Sequence, residues 1–457
     1  MTIKCISPID GSLYVERKTS SKLEAQIAVK RAKSAQKSWA ARHIKERIAL
    51  VKAGVKAIGK MNDEIVLEIA HQMGRPIRYG GEFKGFEERA NYMATIAQDS
   101  LAPIVVEDST SFRRVIKRVP HGLVFVIAPW NYPYMTAINT IAPALIAGNA
   151  VILKHSSQTP LVGERMVAAF IASGVPADIF QNLFLDHLTT LTLISDRAFG
   201  YINFTGSVKA GKAIENAAKG TFTDMSLELG GKDPAYVMED ASLDVAVKTL
   251  IDGAMFNSGQ CCCGIERIYV HESLFQSFVN KAIAIVNNYK LGNPLTKKTT
   301  LGPMAHTRLA NEVRVQITEA IADGAITHID RSNFPEDGGR YIMPQILTNV
   351  THDMRLMREE SFGPVVGIMP VKNDSEAIRL MNDSNFGLTA SLWTKDANRA
   401  EGIADQIETG TVFMNRADYL DPALCWTGCK DTGRGGGLSS IGYHNLTRPK
   451  SYHLKKV

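Results

Sequence analysis

With 457 residues the chain exceeds what one hydrophobic core fills, since single cores stop growing near ~250–300 residues, and two large domains are expected. Hydrophobic residues at 45% and charged residues at 21% exclude a disordered chain or a coiled coil. The net charge of +6 is dispersed without a long run of one sign, which argues against nucleic-acid binding and leaves anionic small ligands open.

The amino terminus, MTIKCISPIDGSLYVERKTSSK, lacks the apolar core of a secretory signal and the Arg-rich character of a transit peptide. No stretch approaches the ~20 apolar residues of a membrane span. Six cysteines, three of them adjacent at Cys261, Cys262 and Cys263, form neither a disulfide framework nor a paired zinc motif. A cytoplasmic protein is the expectation.

The first hundred residues read as helices, with apolar positions recurring every three to four residues through Leu23–Trp39, Ile44–Ile58 and Ile65–Met73. The alternation in SFRRVIKRVP, residues 111–120, predicts an exposed basic strand that edges a sheet or pairs with another subunit. From Gly122 short apolar strands (Leu123–Ala128, Ala150–Lys154, Ile179–Leu185, Tyr201–Phe204, Ser226–Leu229) alternate with helical runs at Met135–Ala147, Leu161–Ala172 and Val208–Ala218. This is the pattern of a doubly wound parallel sheet. The alternation restarts after Gly230-Gly231 with helix Leu243–Phe256 and strand Ile265–Val270 and runs on to strand Ser391–Trp393. The tail from Asp421 is rich in glycine and closes on a polar strand, Pro449–Lys455. The expected organisation is α/β: a dinucleotide-binding domain (1–110 and 121–231), a catalytic domain (232–440), and a small β bridging or oligomerisation element (111–120 and 441–457).

Several motifs could carry chemistry. In GQCCCG three cysteines lie between glycines that let a ligand approach the backbone, although a buried cysteine is often only a small hydrophobe. Glu228, in SLELGGK, stands at a strand end where ligands bind in open α/β sheets, and could equally be a capping carboxylate. Asn131, in APWNYP, follows a buried-type strand, where an asparagine is more often a turn residue than a catalytic donor, and taken alone it decides nothing. GSVKAGKA nearly matches a P-loop, but Ala213 stands where a magnesium-binding hydroxyl is required. Its glycines still place a helix amino terminus after a strand, a seat for phosphate. No G-x-G-x-x-G occurs, so a dinucleotide would not bind in the usual Rossmann manner.

Together, APWNYP, LKHSSQTP, FTGSVKAG, LELGGKDP, NSGQCCCG and EESFGPVV stand in the order and spacing of the aldehyde dehydrogenase superfamily, which the chain resembles from about residue 5 to its end. The resemblance implies that an aldehyde is oxidised to a carboxylic acid with NAD or NADP. Cys262 matches the nucleophile, Asn131 an oxyanion donor acting with the Cys262 N–H, and Glu228 the base that activates water. Lys154, Glu360 and Phe362 match residues at the ribose and nicotinamide, and Gly206 with Ser207 the turn beside the pyrophosphate. Ala128, Pro129, Trp130, Ser156, Ser157, Phe204, Thr205, Leu229 and Gly230 complete the implied cofactor site. Tyr132, Asn139, Phe256, Cys425 and Trp426 match the aldehyde tunnel. Ser157 departs from the glutamate common in NAD-preferring members, which favours NADP with NAD use still open. Asn139 replaces an aromatic residue and hints at a small or polar aldehyde. The tail, ALCWTGCKDTG, also departs from the usual family sequence at the substrate entrance. A homodimer or homotetramer is implied. The alternatives are a coenzyme A-acylating relative, disfavoured by the retained Glu228, and a catalytically silent one.

Overall fold

The computed structural model describes residues 1–457. A six-stranded sheet runs Gly433–Arg434, Asp224–Glu228, Tyr201–Thr205, Leu123–Ala128, Ala150–His155, Phe180–Asn182, parallel except for the first strand. Leu123–Ala128 is buried at every position, as a central parallel strand covered on both faces must be. The chain leaves it on one side for Ala150–His155 and later returns on the other as Tyr201–Thr205, which makes a topological switch point at their carboxyl ends. Helices Lys22–Ala41, Ile44–Gly59, Asn62–Met73 and Phe83–Ser100 add a layer whose Trp39, Val55, Phe86 and Met93 share a core with Phe125 and Ile152. The first of these helices starts on a capping box between Ser21 and Glu24.

A seven-stranded sheet runs Ile326–Thr327, Gln345–Thr348, Val365–Val371, Ile265–His271, Asp233–Val237, Thr389–Trp393, Thr411–Met414, with only the first strand antiparallel. Successive residues serve opposite faces: Ala235 and Ile268 join one core, Tyr236 and Tyr269 another. These two sheets give the expected doubly wound α/β architecture.

The third sheet is small: Phe112–Pro120 pairs antiparallel with Thr447–Lys455 along its whole length and with Ile104–Asp108 on its other side. Ile104, Val105 and Val106 are exposed on that outer strand. Past Met414 the chain returns to the six-stranded sheet, where Gly433 lies opposite Glu228 and helix Ser439–Asn445 docks Tyr443 Oη on the Met93 carbonyl at 2.8 Å.

The all-helical reading of the first hundred residues is corrected at the amino terminus, where Thr2–Ile6 and Leu13–Lys18 form a hairpin. Only Cys5 and Val15 of those strands are buried, so the apolar alternation that marks a strand is nearly absent. The glycine-rich tail also contains a helix, Ser439–Asn445, that its composition did not announce.

Candidate active site

At the switch point lies a cavity of about 760 Å³ that reaches from the carboxyl ends of Leu123–Ala128 and Tyr201–Thr205 to the GQCCCG loop. Its wall brings together Cys262, Glu228 and Asn131. Of the residues expected at the cofactor, Ala128, Pro129, Trp130, Lys154, Ser156, Phe204, Thr205, Gly206, Ser207, Leu229, Gly230, Glu360 and Phe362 also line it, as do Tyr132, Asn139, Phe256 and Trp426 of the expected tunnel. Ser157 and Cys425 do not. Ser157 is exposed in the turn before helix Pro160–Ala172, and Cys425 sits beside Gly436 in the carboxy-terminal segment.

The loop that carries Cys262 is held in an uncommon conformation. Asn257, Ser258 and Gly259 all have positive φ, near +56°, +56° and +70°, and a side chain at Gly259 would collide with the Gly363 carbonyl. Side chains offset the strain: Asn257 Nδ2 donates to the Asn131 and Gln260 carbonyls, Ser258 Oγ to the Gly302 carbonyl at 2.8 Å, and the Ala305 N–H to Gln260 Oε1 at 2.8 Å. The Cys262 N–H donates to no backbone acceptor, unlike its neighbours Cys261 and Gly264. Asn131 Nδ2 donates to the Gln260 carbonyl at 3.3 Å, which keeps its amide beside this loop.

Sequence reasoning missed the residues that fix Asn131. Arg75 is buried with Glu82 in an ion pair at 2.7 Å, their side chains 4% and 1% exposed. Arg75 also donates to the Asn131 carbonyl and to Asn257 Oδ1. Glu82 accepts from the N–H groups of Tyr134 and Met135, the first turn of helix Pro133–Ile146. A second buried pair, Lys232 with Glu266 at 2.5 Å, accepts the N–H groups of Ser361 and Phe362 on Glu266 and so pins the turn bearing Glu360 and Phe362. The missing side chain at Gly230 lets the Glu360 carboxylate approach the chain, where it accepts from the Gly231 N–H at 3.0 Å.

Burial pushes Glu228 up to about 7, opposed by one hydrogen bond from Thr205 at 3.3 Å. The Cys262 thiol is lowered to about 6, first by the flanking thiols of Cys261 and Cys263, and burial does not reverse that. The Cys261 and Cys263 thiols are pushed up in turn, by their neighbouring thiols and by burial, so the direction within the trio favours Cys262 as the thiolate. Cys261 and Cys263 are turned toward Asp418, at 3.5 and 3.0 Å.

The cavity also suits a dinucleotide. Helix Val208–Ala218 begins at its edge with Ser207 as cap, and Lys154, whose charge burial disfavours, has no carboxylate partner in the protein. No helix is long and apolar enough to cross a membrane.

The model of the aldehyde dehydrogenase family matches residues 1–452. The chain belongs to that family. Like other aldehyde dehydrogenases it oxidises an aldehyde with NAD or NADP. It is 31% identical over 446 residues to the NADP(+) succinate-semialdehyde dehydrogenase of Deinococcus radiodurans, covering 97% of this chain and 93% of that one. Among solved structures it resembles the NADP-dependent glyceraldehyde-3-phosphate dehydrogenase of Bacillus halodurans complexed with NADP, with TM-score 0.93, 31% identity, and 100% and 96% of the two chains covered. It also resembles the succinic semialdehyde dehydrogenase of Streptococcus pyogenes in complex with NADP+, with TM-score 0.93, 26% identity, and 99% and 100% coverage. The likeness to these two solved structures extends over 99–100% of this chain.

Proposed function

We propose that this aldehyde dehydrogenase works through a thioester on Cys262 that water hydrolyses with Glu228 as base. The observation that carries the reading is the meeting of the lowered Cys262 thiol, the raised Glu228 and the Asn131 amide on one cavity wall. The thiolate forms a C–S bond with the aldehyde carbon, and the oxyanion so generated accepts hydrogen bonds from Asn131 Nδ2 and the free Cys262 N–H. Loss of one such donor typically raises a barrier by about 2.7–4 kcal/mol. A bound nicotinamide supplies the hydride acceptor. Glu228 then takes a proton from water, whose oxygen displaces the Cys262 sulfur and releases the acid.

Residues 1–110 and 121–231 hold the cofactor in this reading, and 232–440 supply the thiol. NADP is the preferred form, because the ammonium of Lys154 is unpaired and Ser157 presents an exposed hydroxyl where a carboxylate would repel a 2'-phosphate. Absorbance at 340 nm with a panel of aldehydes should reveal turnover with NADP. Ser157→Glu should shift the ratio of kcat/KM values toward NAD by about tenfold to a hundredfold, since a like charge now faces the phosphate. An unchanged ratio would place the 2'-phosphate elsewhere.

The chain assembles as a homodimer or homotetramer through its small sheet, whose outer strand exposes Ile104, Val105 and Val106 in a row. Val106→Lys should lower the sedimenting mass in analytical ultracentrifugation. A wild-type monomer would refute this assembly. The six free cysteines agree with a reducing cytoplasm.

A further inference from the structure

Arg89 was not anticipated from the sequence; it is one of two guanidinium groups in the cavity wall, with Arg308, and the one bonded to Asn139. Helix Phe83–Ser100 carries it, packed against helix Pro133–Ile146, and Arg89 is only 9% exposed. Its Nη1 donates to the Met135 carbonyl at 3.2 Å and to Asn139 Oδ1 at 3.3 Å. Both Nη1 hydrogens are thus committed, while the edge formed by Nε and Nη2 donates to no protein group and stays accessible. That edge carries two parallel N–H bonds, the fork that matches the two oxygens of a carboxylate.

Charge balance points the same way. Arg75, equally buried on a neighbouring segment, has Glu82 at 2.7 Å, but Arg89 forms no ion pair. The acids that act on it through space are otherwise engaged. Glu82 serves Arg75 and two helix N–H groups, Glu228 is bonded to Thr205, and Asp418, pushed well up by burial, sits against the Cys261 and Cys263 thiols. A buried cation without a partner is costly, and an anionic ligand would relieve that cost.

We infer that the Nε and Nη2 edge of Arg89 receives the carboxylate of an aldehyde that bears one at its far end, and that this enzyme therefore selects semialdehydes over neutral aldehydes. This rests on the reading that Cys262 attacks the aldehyde in the same cavity. Asn139 is then a positioning residue: it occupies Nη1 and turns the free edge toward the substrate.

The test compares kcat/KM for succinate semialdehyde, butanal and glyceraldehyde 3-phosphate in the wild type, Arg89→Met and Arg89→Lys, together with calorimetric binding of succinate to each. Succinate semialdehyde should exceed butanal by about a hundredfold or more, the difference typical of a satisfied, buried charge-assisted pair. Arg89→Met should collapse that ratio, chiefly through KM, and abolish succinate binding. Arg89→Lys should restore part of both, because it returns the charge without the fork. If no aldehyde is turned over but succinate binds the wild type and not Arg89→Met, the thioester reading fails and the carboxylate site stands. Equal use of butanal by the wild type, preference for the phosphorylated aldehyde, or a ratio unmoved by Arg89→Met would each overturn the proposal and leave Arg89 as a brace between two helices.

Discussion

Cys262→Ser is expected to lower aldehyde oxidation by more than about a thousandfold, the scale seen when a covalent nucleophile is removed. Serine keeps the shape of the side chain but not its acidity, so its hydroxyl stays protonated near neutral pH and is a far weaker nucleophile than the thiolate. The Cys261 and Cys263 thiols are poor substitutes, because both are shifted upward and are turned toward Asp418. NADP binding, followed by fluorescence titration, should persist, since the cofactor groups sit on other segments: Lys154, Ser207, and the turn pinned by Lys232 and Glu266. Retained turnover in this variant would overturn the thioester mechanism.

Glu228→Gln should separate the two halves of the reaction. Thiolate attack and hydride transfer do not need this carboxylate, so rapid mixing should show one burst of reduced cofactor per subunit. Steady turnover should then fall by roughly 10²–10⁴-fold, the usual contribution of a positioned base. The pH profile gives an independent reading. Burial raises Glu228 to about 7, so the carboxylate is available above that pH and is lost as pH falls through it. Wild-type kcat should therefore drop on the acid side of about pH 7 where hydrolysis limits the rate, and the glutamine variant should lack that limb. Undiminished steady turnover, with no burst, would remove Glu228 from the role.

Much of the cofactor sheet was legible because its central strands are buried on both faces and read as unbroken apolar runs such as LVFVIA. The amino-terminal hairpin was not, since a strand lying on the surface with one or two inward residues carries no alternation to detect. Asp233–Val237 was hidden differently: it begins at a charged residue followed by Pro234, which resembles a turn, yet Asp233 is buried and bonded by Thr389. For the site, residues within compact motifs were readable through their resemblance to a family. Arg75, Glu82 and Arg89 were not: Arg75 and Glu82 lie in the connection between helices Asn62–Met73 and Phe83–Ser100, where charged residues are usually solvated, and Arg89 lies on an amphipathic helix, where a charged residue looks the same whether it faces water or a second helix. Their importance arises only from what the fold puts across from them.

The return of the chain to its first sheet has a practical consequence. The strand that ends at Glu228 acquires its outer neighbour from residues 433–434, and Thr432 is tied into both halves, its carbonyl accepting from Leu229 N–H at 2.9 Å and its hydroxyl donating to the Gly230 carbonyl and accepting from Gly387 N–H. Cutting this polypeptide near residue 231 would therefore not yield two modules. The leading fragment would be left with an open edge beside its acidic residue, and it could become whole only by capturing the trailing fragment, as a button finds the hole cut for it elsewhere in the same coat.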